Sequence, residues 1–335
     1  MLLIIMRLLL RYIFPLILLL LLLLSGCKDA ALEARLDSAE QRLDDNPDSA
    51  LKLLCSVKLD GISSREQKAR CALLHSQALD KAHIYVSNDY IIRIAAEYYA
   101  SHGTELDRFK SLYYTGRVRY NAGDMIKAIA AFTRADMLAG DIDDDLMKGL
   151  LYREMGETYQ IYADFKKSLL LYKQACACFE RAGRFRHRNF VLLSIGTMYY
   201  GMLENDSALH YWNKALHLAK ESRDSVLVGD VLTDLLIYYV ENRETAKAMA
   251  TYSEKLRYDP RQENSPVSST LAMMYAQNND YEKSDYYYRR ALQLSDCRGD
   301  TVALYDKLAT YMSVKVTIGR HTIHLRNLIP MRMRC

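Results

Sequence analysis

The chain has 335 residues, 50% apolar and 26% charged, with 14 Gly and 5 Pro, which excludes a collagen-like polymer, a low-complexity segment or a disordered chain. Its formal charge of +4 is unevenly placed, because Arg7 and Arg11 stand near the start and Lys315, Arg320, Arg326, Arg332 and Arg334 follow the last acid, Asp306. Without those seven the body carries about −3, which argues against a general phosphate-binding surface and so against a nucleic-acid partner.

Residues 1–26 carry Arg7 and Arg11, an apolar run from Tyr12 to Leu24, and then small residues before a cysteine, the grammar of an export leader. The stretch Leu24-Ser25-Gly26-Cys27 resembles the lipobox of bacterial lipoproteins. That resemblance implies cleavage before Cys27, a diacylglycerol on its thiol and acylation of its new amine, so that residues 27–30 become a lipidated membrane anchor facing the periplasm. Two or three acyl chains, at roughly 0.8 kcal/mol per buried CH₂, hold far more durably than one. An uncleaved transmembrane helix is the competing reading, and the small-small-Cys ending disfavours it. Which envelope membrane receives the anchor stays open.

Residues 31–105 read as N-terminal helical hairpins. Leu32, Leu36, Ala39 and Leu43 form one apolar stripe, Asn46-Pro47-Asp48 interrupts it, and Ala50, Leu51, Leu53, Leu54 and Val57 resume it. Residues 31–58 are expected to cap a stack, and 65–103, with Ser76, Ile91, Ile92, Ala95 and Tyr99, to form a diverged repeat.

Residues 106–312 hold the repeat itself. Small residues recur at Gly116, Gly156 and Gly196, continuing through Leu236, Ala272 and Ala309, and the second small position follows twelve residues later at Ala128, Ser168, Ala208, Ala248 and Ser284. Four residues on come Phe132, Tyr172, Trp212, Tyr252 and Tyr288, and three more reach Ala135, Ala175, Ala215, Lys255 and Ala291. A small, aromatic, small pattern at i, i+4 and i+7 is the packing face of a second helix. Tyr159, Tyr199, Tyr239 and Tyr275, with Arg119 in the first repeat, are placed to wedge between the two helices, which accounts for the excess of Tyr (26) over Phe (7). The period exceeds 34 residues, and the surplus is expected mainly in connections after the second helix, such as 140–145. Leu236 and Lys255 make the fourth repeat the least regular.

These residues, with the turns Asn121-Ala122-Gly123-Asp124 and Asn278-Asn279-Asp280-Tyr281, resemble the tetratricopeptide repeat (TPR). Together with the leader they are similar to exported TPR proteins of Bacteroidota. The resemblance implies an all-α fold, a right-handed α-solenoid of antiparallel helix hairpins, whose first-helix residues line a concave surface for a protein or peptide partner. In this register the groove positions are Tyr113, Arg117, Tyr120 and Asn121, then Arg153, Glu157 and Gln160, then Thr197 and Tyr200. Tyr, Arg and amides are types common at interface hot spots.

Residues 302–312 resemble one more first helix, but 313–335 lack a partner pattern and read as a basic, irregular tail: a degenerate cap, a membrane-touching segment or, the favoured reading, a truncation of a longer chain. No phosphate loop, nucleophile elbow or zinc-protease motif occurs, and His321 with His324 make a weak ligand pair. No cofactor, no metal and no catalysis are therefore expected. The function expected is a non-catalytic binding scaffold in the cell envelope, with the sensory part of a truncated regulator as the alternative. The cysteines Cys55, Cys71, Cys176, Cys178, Cys297 and Cys335 lack a disulfide framework and are expected to act as small core hydrophobes.

Overall fold

A computed structural model describes residues 29–258 and 264–295. Cys27 and its leader, Ala309, Cys297, Cys335, His321, His324 and the 313–335 tail lie outside the described residues.

Most helices start at a recognisable cap. Asp29 accepts from the amides of Ala31 and Leu32 to open α1 (Ala30–Arg42), and Asn46 with Pro47 opens α2 (Pro47–Cys55). Ser64 caps α3 (Arg65–Lys81), α4 spans Tyr90–Tyr99, and a Thr104–Asp107 capping box opens α5 (Glu105–Asn121). Asp124, Asp144 and Asp164 then cap α6 (Met125–Asp136), α7 (Asp145–Ile161) and α8 (Phe165–Arg181). After α9 (Phe185–Gly201) and α10 (Asn205–Glu221), Asp224 caps α11 (Ser225–Glu241), which precedes α12 (Thr245–Tyr258). Asn264 and Asp280 cap α13 (Ser265–Gln277) and α14 (Tyr281–Leu294). The described residues contain no strand, so the protein is all-α.

The turns repeat one chemistry. At Gly123, Ala163, Gly183, Leu203, Arg223, Arg243 and Asn279 the backbone takes positive φ, from 56° to 75°. The next amide reaches back five residues, as in Asp164 N–H to Tyr159 O (3.1 Å), Glu204 N–H to Tyr199 O (2.9 Å) and Glu244 N–H to Tyr239 O (2.8 Å). This is the Schellman closure, which satisfies carbonyls that the helix end leaves over. The residue after the left-handed one is often the next helix's cap, so one turn ends a helix and starts its neighbour.

This geometry corrects the expected location of the surplus residues. From α7 to α11 every helix has 17 residues and each turn between them has three, so two such units make the 40-residue period. The surplus lies in lengthened helices. Between α5 and α12 the connection 137–144, joining α6 to α7, is the long one, as expected for 140–145.

The chain divides into two compact units after Arg188, inside α9. In the first unit α5 pairs with α6 and α7 with α8 as antiparallel hairpins, and α5 also touches both α3 and α7. Its cores run from Leu36, Leu54 and Leu74 to Phe109, Phe132 and Leu151. The small residues sit under rings: a Cβ added at Gly156 would come within 2.8 Å of Tyr172, and one at Gly149 within 2.7 Å of Phe179. Ser168 donates to the Gly156 carbonyl at 2.8 Å, so the paired small positions are in contact. In the second unit α11 packs on α10, α12 and α13, and α13 on α14. Trp212, Ala208 and Ala215 are buried there, whereas Tyr252, opposite bulky Leu236, is half-buried. Lys255 is buried, with Nζ 3.5 Å from the Gly229 carbonyl.

The wedge tyrosines are half-buried. Lys167, Lys247 and Lys283 lie over Tyr159, Tyr239 and Tyr275 at 4.0, 5.4 and 5.1 Å from the ring centres, and Tyr199 and Tyr275 stack on Tyr211 and Tyr287. One ring face is thus covered by the second helix and the other end meets water. Cys71 and Cys178 are buried, but Cys55 is exposed, its Sγ 3.7 Å from His75 Nε2, so that cysteine is not a core residue.

Candidate functional site

The first helices of successive hairpins meet along a polar row. In the first unit Arg117 on α5 reaches Asp80 on α3, with Nη2 to Oδ1 at 2.9 Å, and Glu154 on α7. Glu154 is fully buried, and its second oxygen takes Arg153. Burial alone would raise the Glu154 carboxyl; the two guanidinium groups outweigh it and hold the carboxyl below its ordinary value. The partners of Arg117 lie 37 residues to either side, and the same offset links Lys81 with Asp44, Thr197 with Asp234, and Gln277 with the Val240 carbonyl.

One turn along α7, the Glu157 carboxylate lies 3.7 Å from Arg153 Nε. Burial, then the charge of Glu154, push Glu157 up to about 7 against the pull of Arg153 and Arg117. Arg153 Nε is buried with no hydrogen-bond partner. The α7 face therefore presents a donor without an acceptor beside a carboxyl that is part neutral near pH 7.

Among the sequence-expected groove residues, Tyr113 is corrected: it is 1% exposed, packed on Tyr114 and Phe132, and belongs to the core. Arg117, expected at the surface, has a side chain only 13% exposed and tied at both ends. Asn121 donates to the Val86 carbonyl at 3.4 Å, and Gln160 accepts from Tyr172 Oη at 2.9 Å. Tyr120, Arg153 and Glu157 remain half-buried around the α5 and α7 faces.

In the second unit Thr197 Oγ1 donates to Asp234 Oδ2 at 2.7 Å, and Tyr200 Oη donates to Glu241 while its ring meets Trp212 and Tyr238. Burial raises Asp234 to about 6, with Thr197 lowering it and nearby Asp230 adding to the rise. Asp80, Glu154, Asp234 and Glu241 were not picked out from the sequence. For Asp80, Glu154 and Asp234 the signal was complementary polar types 37 residues apart, three short of the repeat; Glu241 lies 41 residues from Tyr200.

Among the described residues no group of three His, Cys, Asp or Glu side chains is placed to hold a metal ion, and no helix is long and apolar enough to cross a membrane.

No protein-family model matches the chain. No curated protein matches it either. Solved structures do. The apo form of RapI is similar at a TM-score of 0.64 and 15% identity, over 86% of this chain and 87% of that one. The apo quorum sensor NprR from B. thuringiensis is similar at 0.66 and 11%, over 87% and 83%. A signal-transduction ATPase with a tetratricopeptide repeat sensor from Pyrococcus horikoshii is similar at 0.61 and 16%, over 84% of this chain and 43% of that one. The chain has the TPR-like helical-repeat fold of these proteins.

Proposed function

We propose that this chain is a lipid-anchored, non-catalytic scaffold that binds a protein or peptide in the bacterial cell envelope through the first-helix faces of its hairpins. The observation that carries the reading is the unfinished polar chemistry on α7, where Arg153 Nε lacks an acceptor and Glu157 lacks a full counter-charge. The Glu157 side chain is 38% exposed, so a partner backbone amide can reach its carboxyl. Proteins of similar fold support the class of partner: NprR was solved with its cognate peptide NprX, a Rap protein with competence and sporulation factor, and another Rap regulator with the Phr* peptide. The anchor rests on Cys27 in its lipobox-like setting.

Two measurements test this. Cys27→Ala should lose incorporation of labelled fatty acid; continued labelling and normal processing sink the anchor. Tyr120→Ala with Glu157→Ala should reduce crosslinked partner recovered from detergent-solubilised envelopes at unchanged helicity, and full recovery would remove this face. The sensory part of a regulator is the second reading, favoured by the likeness to a quorum sensor and to a repeat sensor of a signalling ATPase. Coding sequence for a membrane span and coiled coil directly downstream, in another frame, would decide for it.

A further inference from the structure

Asp29, the cap of α1, is held on both sides of its own backbone. Gln67 on α3 is only 2% exposed; its Oε1 accepts from the Asp29 N–H at 2.9 Å and its Nε2 donates to the Asp29 carbonyl at 2.8 Å. Two residues of chain span at most about 7 Å, so Cys27 lies within that distance of a backbone fastened to α3. An acylated Cys27 therefore brings this end of the first unit to the lipid headgroups.

A cleft of about 310 Å³ opens beside Asp29, between α1, the 56–64 connection and the start of α3. Its charges lean positive. Arg35 and Lys58 line it and neither forms an ion pair among the described residues; Arg35 reaches only Ser56 Oγ, at 3.4 Å. The one carboxylate in the lining, that of Asp29, is turned onto α1, where Oδ1 accepts from the Ala31 and Leu32 amides at 2.9 and 3.1 Å. The neighbouring acids Glu33 and Asp60 stand outside the lining and face Arg70 at 2.5 Å and Lys68 at 3.6 Å.

Hydroxyl donors join the two cations. Ser64 is 8% exposed; its Oγ accepts from the Gln67 amide at 3.4 Å, and its own proton has no acceptor among the described residues. Ser63 beside it has no side-chain partner there either. Both lead into the first turn of α3, a 17-residue helix whose leading amides carry partial positive charge. Val57 and Ile62, half-buried, give the cleft an apolar side.

We propose that this cleft docks the phosphodiester headgroup of an anionic membrane phospholipid, a proposal that rests on the lipid-anchor reading of Cys27. The phosphate meets the Arg35 guanidinium, the Lys58 ammonium and the serine hydroxyls, and its glycerol carbons lie against Val57 and Ile62. A membrane lipid is favoured over a free phosphate because the short tether holds headgroups beside the cleft at high effective concentration, so two cations suffice. Docking adds a fixed orientation to the anchor, with α1 and the start of α3 against the membrane.

The test uses the full-length chain purified from membranes, its Cys27 acylation read by mass, reconstituted in vesicles of phosphatidylcholine alone or mixed with phosphatidylglycerol. Hydrogen exchange of residues 56–64 should be slower in the mixed vesicles, and added salt should reverse the slowing. Arg35→Gln and Lys58→Gln, at exposed and unpaired positions, should keep helicity and each reduce the slowing by about fivefold, the effect of one basic residue at an anionic surface. Arg35→Lys should retain it. Acylated protein that exchanges equally in both vesicles overturns the docking and leaves the anchor standing, as does slowing that survives both Gln substitutions. Equal slowing by glycerol phosphate added to the phosphatidylcholine vesicles assigns the cleft to a soluble phosphate and overturns the lipid. An unacylated Cys27 sinks the anchor, and the docking with it.

Discussion

Gly196 lies under the indole of Trp212, so close that a Cβ at position 196 would come within 2.5 Å of Cδ1 and 2.6 Å of Nε1. Trp212 is 1% exposed and flanked by Tyr200 and Tyr238, so the ring has nowhere to turn. Gly196→Ala gains helix propensity but forces the α9–α10 pair apart; overpacking costs about 1–3 kcal/mol, more than the roughly 1 kcal/mol of propensity. The unfolding midpoint should fall. Ala208→Leu, on the same interface, should lower it too, whereas Gly61→Ala, with nothing within 4 Å of the added Cβ, should leave it unchanged. Equal midpoints for Gly196→Ala and Gly61→Ala would refute the packing.

Arg117 joins three helices, and removing it exposes the difference between buried and exposed ion pairs. Arg117→Met leaves Asp80 without its partner and Glu154 with Arg153 alone. Breaking a buried pair costs about 3–5 kcal/mol, and the retained Arg153 contact puts this variant near the lower end. Lys127→Met, which removes an exposed pair with Asp124, should leave the denaturation midpoint close to wild type. If both variants unfold at the same denaturant concentration, the Asp80–Arg117–Glu154 row is not structural.

The repeat was legible because its close contacts need small residues: Gly116, Gly156 and Gly196 each lie under a ring. The turns were harder. Ala163, Leu203, Arg223 and Arg243 hold left-handed conformations that glycine usually marks, so three-residue turns between long helices were invisible and the surplus was assigned to loops. The site was legible in part. A first helix in a stack touches its own second helix and the first helices before and after it, so little of its circumference stays free. Tyr113 and Arg117 were read as groove residues from one pairing, and neighbours in the stack bury them.

Leu203 offers a test of that turn chemistry. The residue is 84% exposed and its φ is 62°, so it contributes little burial while paying the left-handed penalty of roughly 1–2 kcal/mol for a residue with a Cβ. Leu203→Gly removes that strain, and the added freedom of the unfolded glycine offsets part of the gain. A net stabilisation of about 0.5–1 kcal/mol is expected from thermal unfolding. Glycine at Gly201, inside helix α9, offers no such relief, so the effect belongs to position 203. A lowered midpoint for Leu203→Gly would show that the turn is not under strain.

Glu157 should make stability depend on pH in a predictable direction. Its carboxyl is raised from 4.5 to about 7 in the folded chain, first by burial and then by Glu154. The folded state therefore holds a proton that the unfolded state has released between those values. The associated stability is fully present below the unfolded value and is lost as pH rises through about 7. Glu157→Gln cannot ionise and keeps an amide oxygen facing Arg153 Nε. The variant should match wild type near about pH 4.5 and become the more stable of the two above about pH 7. Asp234, raised to about 6 in the second unit, titrates in both proteins, so it cancels in the difference. The measurement is the midpoint difference between the two proteins across this range. A difference that stays constant with pH, or one that favours wild type in alkali, would mean that Arg153 and Arg117 stabilise the ionised Glu157 more than burial and Glu154 disfavour it.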